Sequence, residues 1–165
     1  MIFPDFAEFI ASLNAHRVRY LIVGGYAVGF HARPRATKDI DVLLDRTPAN
    51  ARRACTAITT FLGTSAPNVT EAALLNPRTL VVLGVPPVRI DILTSIDGIS
   101  SFSAAWKRRA EGNYGDVPTH FISRADLVAA KRASARPQDL VDVIVLLETE
   151  AVAPADRKRR QRKGQ

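Results

Sequence analysis

The sequence contains a single cysteine and no long apolar run. Because Cys55 has no second cysteine to pair with, an internal disulfide is excluded, as is typical of proteins in a reducing compartment. A membrane-spanning helix needs about 20 consecutive apolar residues, and no stretch of this chain supplies them. Asp5 and Glu8 lie where a signal peptide would be cationic. We therefore expect a cytoplasmic protein that has no membrane partner.

Residue types that bind zinc or stack on nucleic-acid bases are also few. The three histidines, His16, His31 and His120, show no metal-ligand spacing, and no cysteine pair accompanies them. This pattern excludes a typical zinc site. Phe102 and Trp106 lie four residues apart, a helical spacing that favours packing in the core over stacking on bases.

Positive charge exceeds negative charge, but the excess is local. The chain has 23 lysines and arginines and 16 acidic residues, a net charge of +7. Its last ten residues, DRKRRQRKGQ, hold six of the basic residues and one acidic residue, which leaves 17 basic and 15 acidic residues in residues 1–150. We predict one nearly neutral domain over residues 1–150 and a basic, disordered tail over 151–165. Such a tail either keeps the protein soluble or binds a polyanion such as RNA.

Helical and strand patterns are mixed along the chain. We predict helices over residues 3–13, 26–32, 47–62, 70–75, 101–110, 123–135 and 137–150, with Thr47 and Ser123 as N-caps. Predicted strands cover residues 19–23, 39–44, 79–84, 88–94 and 118–122, and the turn VPP joins two of them into a hairpin. This order predicts an α/β (α+β) fold with a mixed or antiparallel sheet, flanking helices and a C-terminal pair of helices.

Two aspartates interrupt the apolar strand DIDVLL. Residues two apart in a strand point to the same face, so Asp39 and Asp41 project side by side while Ile40 faces the core. Two neighbouring carboxylates repel each other, and a divalent cation would remove that cost. Oxygen-only ligation suits Mg²⁺ or Mn²⁺ better than Zn²⁺.

Asp91 repeats this setting in VRIDILT, where isoleucines again flank a carboxylate. Taken alone, Asp91 also fits an exposed position on an amphipathic edge strand. Together with Asp39 and Asp41 it completes a set of three carboxylates, which could hold two metal ions about 4 Å apart for phosphoryl or nucleotidyl displacement.

Gly24 and Gly25 end one predicted strand and begin a predicted helix. Glycine allows a sharp turn and a close approach to a ligand, and the N–H groups at a helix N-terminus bind anions. A tight turn packed under the sheet is the alternative. A phosphate site just before a carboxylate pair favours a metal–nucleoside triphosphate as ligand.

The segments VGGYAVGFHARPRATKDIDVLL and VRIDIL resemble the DNA polymerase beta-like nucleotidyltransferase superfamily. The likeness is strongest to its small single-domain bacterial members, some of which occur in toxin–antitoxin and abortive-infection systems, and it covers roughly residues 18–146. It implies a mixed sheet with helices, Mg²⁺ (or Mn²⁺) as cofactor, an NTP as substrate and transfer of a nucleotide to an acceptor. By this match Gly24 and Gly25 bind phosphate, and the metal ligands are Asp39, Asp41 and Asp91.

The resemblance extends to DLVAAKRASARPQDLVDV, where toxin-like members use a lysine and a following acidic residue in nucleotide handling. It therefore implies catalytic and nucleotide-binding roles for Lys131 and nucleotide-binding roles for Arg136 and Asp139. The open alternatives are a solvated position for Lys131 and a helix-dipole contact for Asp139. Asp142, one turn later, is interpreted as a surface or capping contact.

The loop before the D-x-D strand carries Arg33, Arg35 and Lys38, either as a plain surface loop or facing the phosphates or an RNA acceptor. We assign nucleotide binding to Arg35 and Lys38. The favoured acceptor is an RNA 3′ end such as that of tRNA, because of the toxin-like C-terminal match and the cationic tail. The alternatives are a hydroxyl group on a partner toxin or antitoxin protein, and a non-catalytic Mg–NTP-binding module.

Overall fold

The computed structural model describes the backbone of residues 1–162 and the side chains of residues 1–150. Within that part, seven helices and six strands follow one another along the chain. The helices are α1 (Pro4–Ala15), α2 (Gly24–His31), α3 (Pro48–Leu62), α4 (Glu71–Leu75), α5 (Phe102–Lys107), α6 (Arg124–Ser134) and α7 (Pro137–Arg162). The strands are β1 (Tyr20–Val23), β2 (Asp39–Leu44), β3 (Leu80–Val85), β4 (Val88–Leu93), β5 (Ala110–Tyr114) and β6 (Val117–Phe121).

The six strands form one mixed sheet in the order β3-β4-β2-β1-β6-β5. The antiparallel pairs are β1 with β2, β3 with β4 and β5 with β6. The parallel pairs are β2 with β4 and β1 with β6. The chain ends in the paired helices α6 and α7. The predicted mixed α/β fold with a C-terminal helical pair is therefore confirmed.

The alternation of side chains along β2, β3 and β4 separates a core face from a site face. One face carries the buried apolar side chains Ile40, Val42, Val81, Leu83, Ile90 and Ile92. The odd-numbered residues of β2 and β4 point to the opposite face of the sheet, because successive strand residues alternate between faces. Those odd positions include the predicted carboxylates, which therefore share one face of the sheet.

The predicted capping residues are confirmed. The Thr47 side chain accepts a hydrogen bond from the backbone N–H of Asn50 at 3.3 Å, and Ser123 accepts one from Asp126 at 3.1 Å. Each bond satisfies a backbone donor that the first turn of a helix leaves unpaired. The predicted core packing of Phe102 and Trp106 is also confirmed, since their rings stack with centroids 6.0 Å apart against the core.

Strand β5 is the element that sequence patterns miss. Its segment AEGNY is mostly polar and has a glycine in the middle, a composition that argues against a strand. The fold explains the glycine, because a Cβ at Gly112 would lie 2.4 Å from a ring carbon of Phe30. Phe30 in turn stacks on Phe121 at a centroid distance of 4.0 Å. Gly112 thus lets α2 pack closely over the β5–β6 hairpin.

The side chains of the predicted tail, residues 151–165, lie outside the described residues, as does the backbone of 163–165. The domain boundary at residue 150 and the disorder of the tail stay predictions. Within residues 1–162 no helix is long and apolar enough to cross a membrane.

Candidate active site

Two of the three predicted carboxylates are direct neighbours across the sheet. In the parallel pairing of β2 with β4, Asp41 lies opposite Asp91, and Asp39 lies opposite Arg89. On its other side Asp41 is paired with Val23, the last residue of β1. Asp39 and Asp41 are two residues apart on β2 and therefore point to the same face. The fold thus brings the three carboxylates to one region of the sheet.

A cavity of about 980 Å³ lies over this region. Of the predicted site residues, six contribute to its lining: Gly24, Asp41, Asp91, Lys131, Arg136 and Asp139. Its walls also include apolar side chains, three serines and two further charged residues, namely Leu80, Leu93, Ile96, Ile99, Leu127, Ser95, Ser100, Ser134, Arg78 and Asp97. The lining therefore combines charged and apolar groups, which suits a ligand with a charged group and a flat apolar group.

Four predicted site residues lie outside the lining of this cavity: Gly25, Asp39, Arg35 and Lys38. A Cβ at Gly25 would lie 3.1 Å from Thr37 and 3.2 Å from a guanidinium nitrogen of Arg35, so Gly25 is packed against the loop before β2. Lys38 is exposed in that loop. Nucleotide contacts by these residues stay predictions.

Gly24 allows the end of β1 to approach the carboxylate of Asp41. It has a φ of +64° and begins α2, and a Cβ there would lie 2.1 Å from Oδ2 and 3.1 Å from Cβ of Asp41. Rotation of the aspartate alone cannot relieve the second contact. Only glycine therefore fits, and α2 begins beside the carboxylate of Asp41.

We expect Gly24→Ala to lower any activity of the site about 100-fold, because Asp41 must move by an ångström or more. Gly63→Ala is the matched control. Gly63 has a similar φ of +69°, but no atom lies within 4 Å of the position its Cβ would take. Both variants should lose about 1–2 kcal/mol of stability through backbone strain in urea denaturation, and only the first should lose turnover. Equal turnover in the two variants would contradict the proposed contact with Asp41.

The environment of Asp41 opposes its ionisation. Burial, and then the charges of Asp91 and Asp39, raise the pKa of Asp41 from 3.8 to about 6. Lys131 and Arg136 act in the opposite direction but do not cancel the rise. Two like charges and a poorly solvated carboxylate are the electrostatic conditions in which a bound cation gains most.

The residues present fit a hard divalent cation in their chemistry. The candidate ligand atoms are carboxylate oxygens, which suit such a cation. One of them, Oδ1 of Asp39, is buried with no hydrogen-bond partner. The side chains are not gathered around a common point, however. Among the described side chains, no group of three or more His, Cys, Asp or Glu residues is arranged to hold a metal ion. The strand register places the three aspartates near one another, but side-chain rotation would be needed to bring their oxygens around one ion.

Arg89 is a site residue that the sequence reasoning missed. Its Nε and Nη2 donate hydrogen bonds to Oδ1 and Oδ2 of Asp91 at 2.7 and 3.0 Å. Both oxygens of that carboxylate are thus occupied by one guanidinium. The two-residue spacing of Arg89 and Asp91 on one strand was the available signal, since it places both side chains on the same face.

Lys131 is buried in a charge network that connects α6 with α7. Its ammonium lies 2.8 Å from Oδ1 of Asp139 and 2.9 Å from Oδ2 of Asp142. Exposed fractions are 8% for the Lys131 side chain and 2% for each aspartate. The alternative of a solvated Lys131 is therefore wrong, and so is the interpretation of Asp142 as a surface or capping contact. Asp142 is buried because its helix face packs towards Lys131.

Two arginines complete the network from its edges. Arg136 bonds Asp139 at 2.8 Å and is 75% exposed, and Arg35 pairs with Asp142 at 3.2 Å. Burial alone would raise the pKa of Asp139, but the hydrogen bonds from Arg136 and Lys131 overcome it and hold that pKa well below its usual range. The charged form of Asp139 is therefore favoured, and Lys131 is its partner at the cavity wall.

A family model described as "Nucleotidyltransferase of unknown function (DUF6036)" matches residues 3–148 of the chain. The matched segment includes every site residue discussed above and leaves out the basic residues at the C-terminus. A search of curated proteins finds no match.

Proposed function

The chain belongs to this family of nucleotidyltransferases, and on that premise we propose that it moves a nucleoside monophosphate from an NTP to a hydroxyl group, with Mg²⁺ or Mn²⁺ as cofactor. One observation carries the proposal, namely the pairing of Asp41 with Asp91 beside the helix that begins at Gly24. It provides hard oxygen ligands next to backbone N–H groups, which together suit a metal-bound triphosphate.

Asp39, Asp41 and Asp91 are the residues that would hold the cation. When bound, it would offset the charge of the triphosphate and stabilise the attacking and leaving oxygens. The orphaned Oδ1 of Asp39 and the raised pKa of Asp41 support these assignments, because both are relieved by a positive charge.

The remaining roles belong to the chain itself. The acceptor oxygen attacks the α-phosphorus, the bond from that phosphorus to the oxygen of the β-phosphate breaks, and pyrophosphate leaves. Asp91 accepts the proton of the attacking hydroxyl group. The N–H groups at the start of α2 bind phosphate oxygens. Arg136, which is mostly exposed in the cavity lining, provides positive charge for the departing pyrophosphate.

We propose an RNA 3′ end, such as that of tRNA, as the acceptor. The six basic residues among the last ten support a polyanionic partner, because phosphate contacts by lysine and arginine supply most non-specific RNA affinity. A toxin or antitoxin protein modified on a hydroxyl group is the second candidate. A role in a toxin–antitoxin system belongs to the same proposal.

Transfer of label from α-³²P-labelled NTPs tests the reaction and the acceptor together. The protein is incubated with each NTP, bulk tRNA and cell proteins, with Mg²⁺ or with EDTA. We expect label on RNA only with Mg²⁺, and none with Asp39→Asn. Label on a protein band would favour the second acceptor. Tight NTP binding in calorimetry without pyrophosphate release from any mixture would favour a non-catalytic NTP-binding module instead.

A further inference from the structure

Arg89 occupies the carboxylate that the proposed metal site needs. Both oxygens of Asp91 accept hydrogen bonds from its guanidinium, so a cation that approaches Asp91 from the side of Arg89 has to open at least one of these bonds and meets a positive charge there. Arg89 also lies opposite Asp39 in the strand register, on the same face as the three carboxylates. The positively charged Arg89 thus lies on the same face of the sheet as three negatively charged aspartates.

The position of Arg89 allows it to leave without disturbing the core. Its side chain is 34% exposed, whereas that of Asp91 is 12% exposed. The guanidinium of Arg89 donates two hydrogen bonds to Asp91, lies opposite Asp39 in the strand register, and shares its face of the sheet with Asp41. The same three carboxylates that would bind a cation therefore stabilise the guanidinium.

We propose that Arg89 is a positioning residue that acts through Asp91, holding this carboxylate until a divalent cation displaces the guanidinium. The inference rests on the proposed metal site. In the absence of metal Arg89 lessens the repulsion among the carboxylates, and it competes with the cation for Asp91. Arg89 therefore sets the metal concentration at which the site fills.

Mn²⁺ binding to the full chain, followed by electron paramagnetic resonance, tests this competition. Losing a charge-assisted pair that must break on binding should make Arg89→Met bind Mn²⁺ about 10-fold more tightly than wild type. Arg89→Lys keeps the charge but loses the bidentate geometry. Its Mn²⁺ affinity should therefore lie between those of wild type and Arg89→Met. Affinity in Arg89→Met equal to or weaker than wild type overturns the inference.

Arg108→Met is the matched control, because Arg108 makes a similar bidentate pair with Asp126 at 2.9 and 3.0 Å, which does not involve the site carboxylates. Its Mn²⁺ affinity should stay within about twofold of wild type. In thermal melts with EDTA, both methionine variants should be less stable than wild type. Saturating Mn²⁺ should close this gap for Arg89→Met and not for Arg108→Met.

These measurements separate the inference from the proposed function. Mn²⁺ affinity that Asp41→Asn leaves unchanged, or no binding by any of the proteins, would count against the metal site itself. Normal binding with no gain in Arg89→Met would overturn the role of Arg89 alone. A gap in melting temperature that persists at saturating Mn²⁺ would also overturn it, since Arg89 would then stabilise the fold independently of the cation.

Discussion

Asp41→Asn is expected to slow nucleotide transfer strongly and at the same time to stabilise the folded protein. In the proposed function, Asp41 is a cation ligand beside Gly24, and the variant would lose the charge that holds a metal-bound triphosphate. Stabilisation by a bound cation amounts to several kcal/mol, so transfer should fall by roughly 10²–10³-fold.

The gain follows from the pKa of Asp41. Burial and the neighbouring carboxylates raise it to about 6 from 3.8, which corresponds to roughly 3 kcal/mol of unfavourable free energy for the ionised form. The folded protein binds this proton more tightly than the unfolded chain does. Stability is therefore highest below pH 3.8 as far as Asp41 is concerned, and it falls as the pH rises to about 6.

Urea denaturation in EDTA at a series of pH values measures this effect. The stability of Asp41→Asn should exceed that of wild type by an amount that grows between about pH 4 and 6 and is then constant. Asp139→Asn is the opposite control, because the low pKa of Asp139 means that its charge stabilises the fold. Retained transfer by Asp41→Asn, or a stability below that of wild type at neutral pH, would count against this account of the site.

Lys131→Met is expected to destabilise the protein by about 3–5 kcal/mol. The ammonium is the shared partner of Asp139 and Asp142, both of which are almost fully buried. Without the ammonium, no cation lies between the two carboxylates. Each carboxylate keeps one arginine, Arg136 for Asp139 and Arg35 for Asp142. Breaking a buried ion pair is costly because the remaining charge has lost its solvent as well as its partner.

The control for Lys131→Met is Arg132→Met, an exposed basic residue in the same last turn of α6. It should change the free energy of unfolding by no more than about 0.5 kcal/mol. Adding Asp142→Asn to Lys131→Met should recover part of the loss, since one buried charge then disappears. Equal losses for Lys131→Met and Arg132→Met in urea denaturation would show that the network does not stabilise the fold.

Local rules predicted much of this fold. The bounds of β2 follow from the sequence DIDVLL, which is bordered by polar loops, and the caps at Thr47 and Ser123 follow from short-range hydrogen bonds. The common face of Asp39 and Asp41 is likewise a property of a single strand. Each of these features depends on residues that are close in sequence.

What the sequence did not reveal depends on long-range pairing. The register that places Asp41 opposite Asp91 joins strands from distant segments, and no local pattern specifies it. The burial of Asp142 is decided by Lys131 and Arg35, which come from other elements. Strand β5 is missed because Gly112 is required by Phe30, a residue of α2.

The order of strands in the sheet also has a consequence for synthesis on the ribosome. Gly24 and Asp41 emerge early, but Asp91 joins them only after the β3–β4 hairpin adds to the edge of β2. Lys131 then needs α7 before its two anionic partners exist. A nascent or truncated chain that stops short of α7 therefore contains the carboxylates but lacks a completed cavity wall. The cavity wall should therefore be completed late, only after α7 has left the exit tunnel.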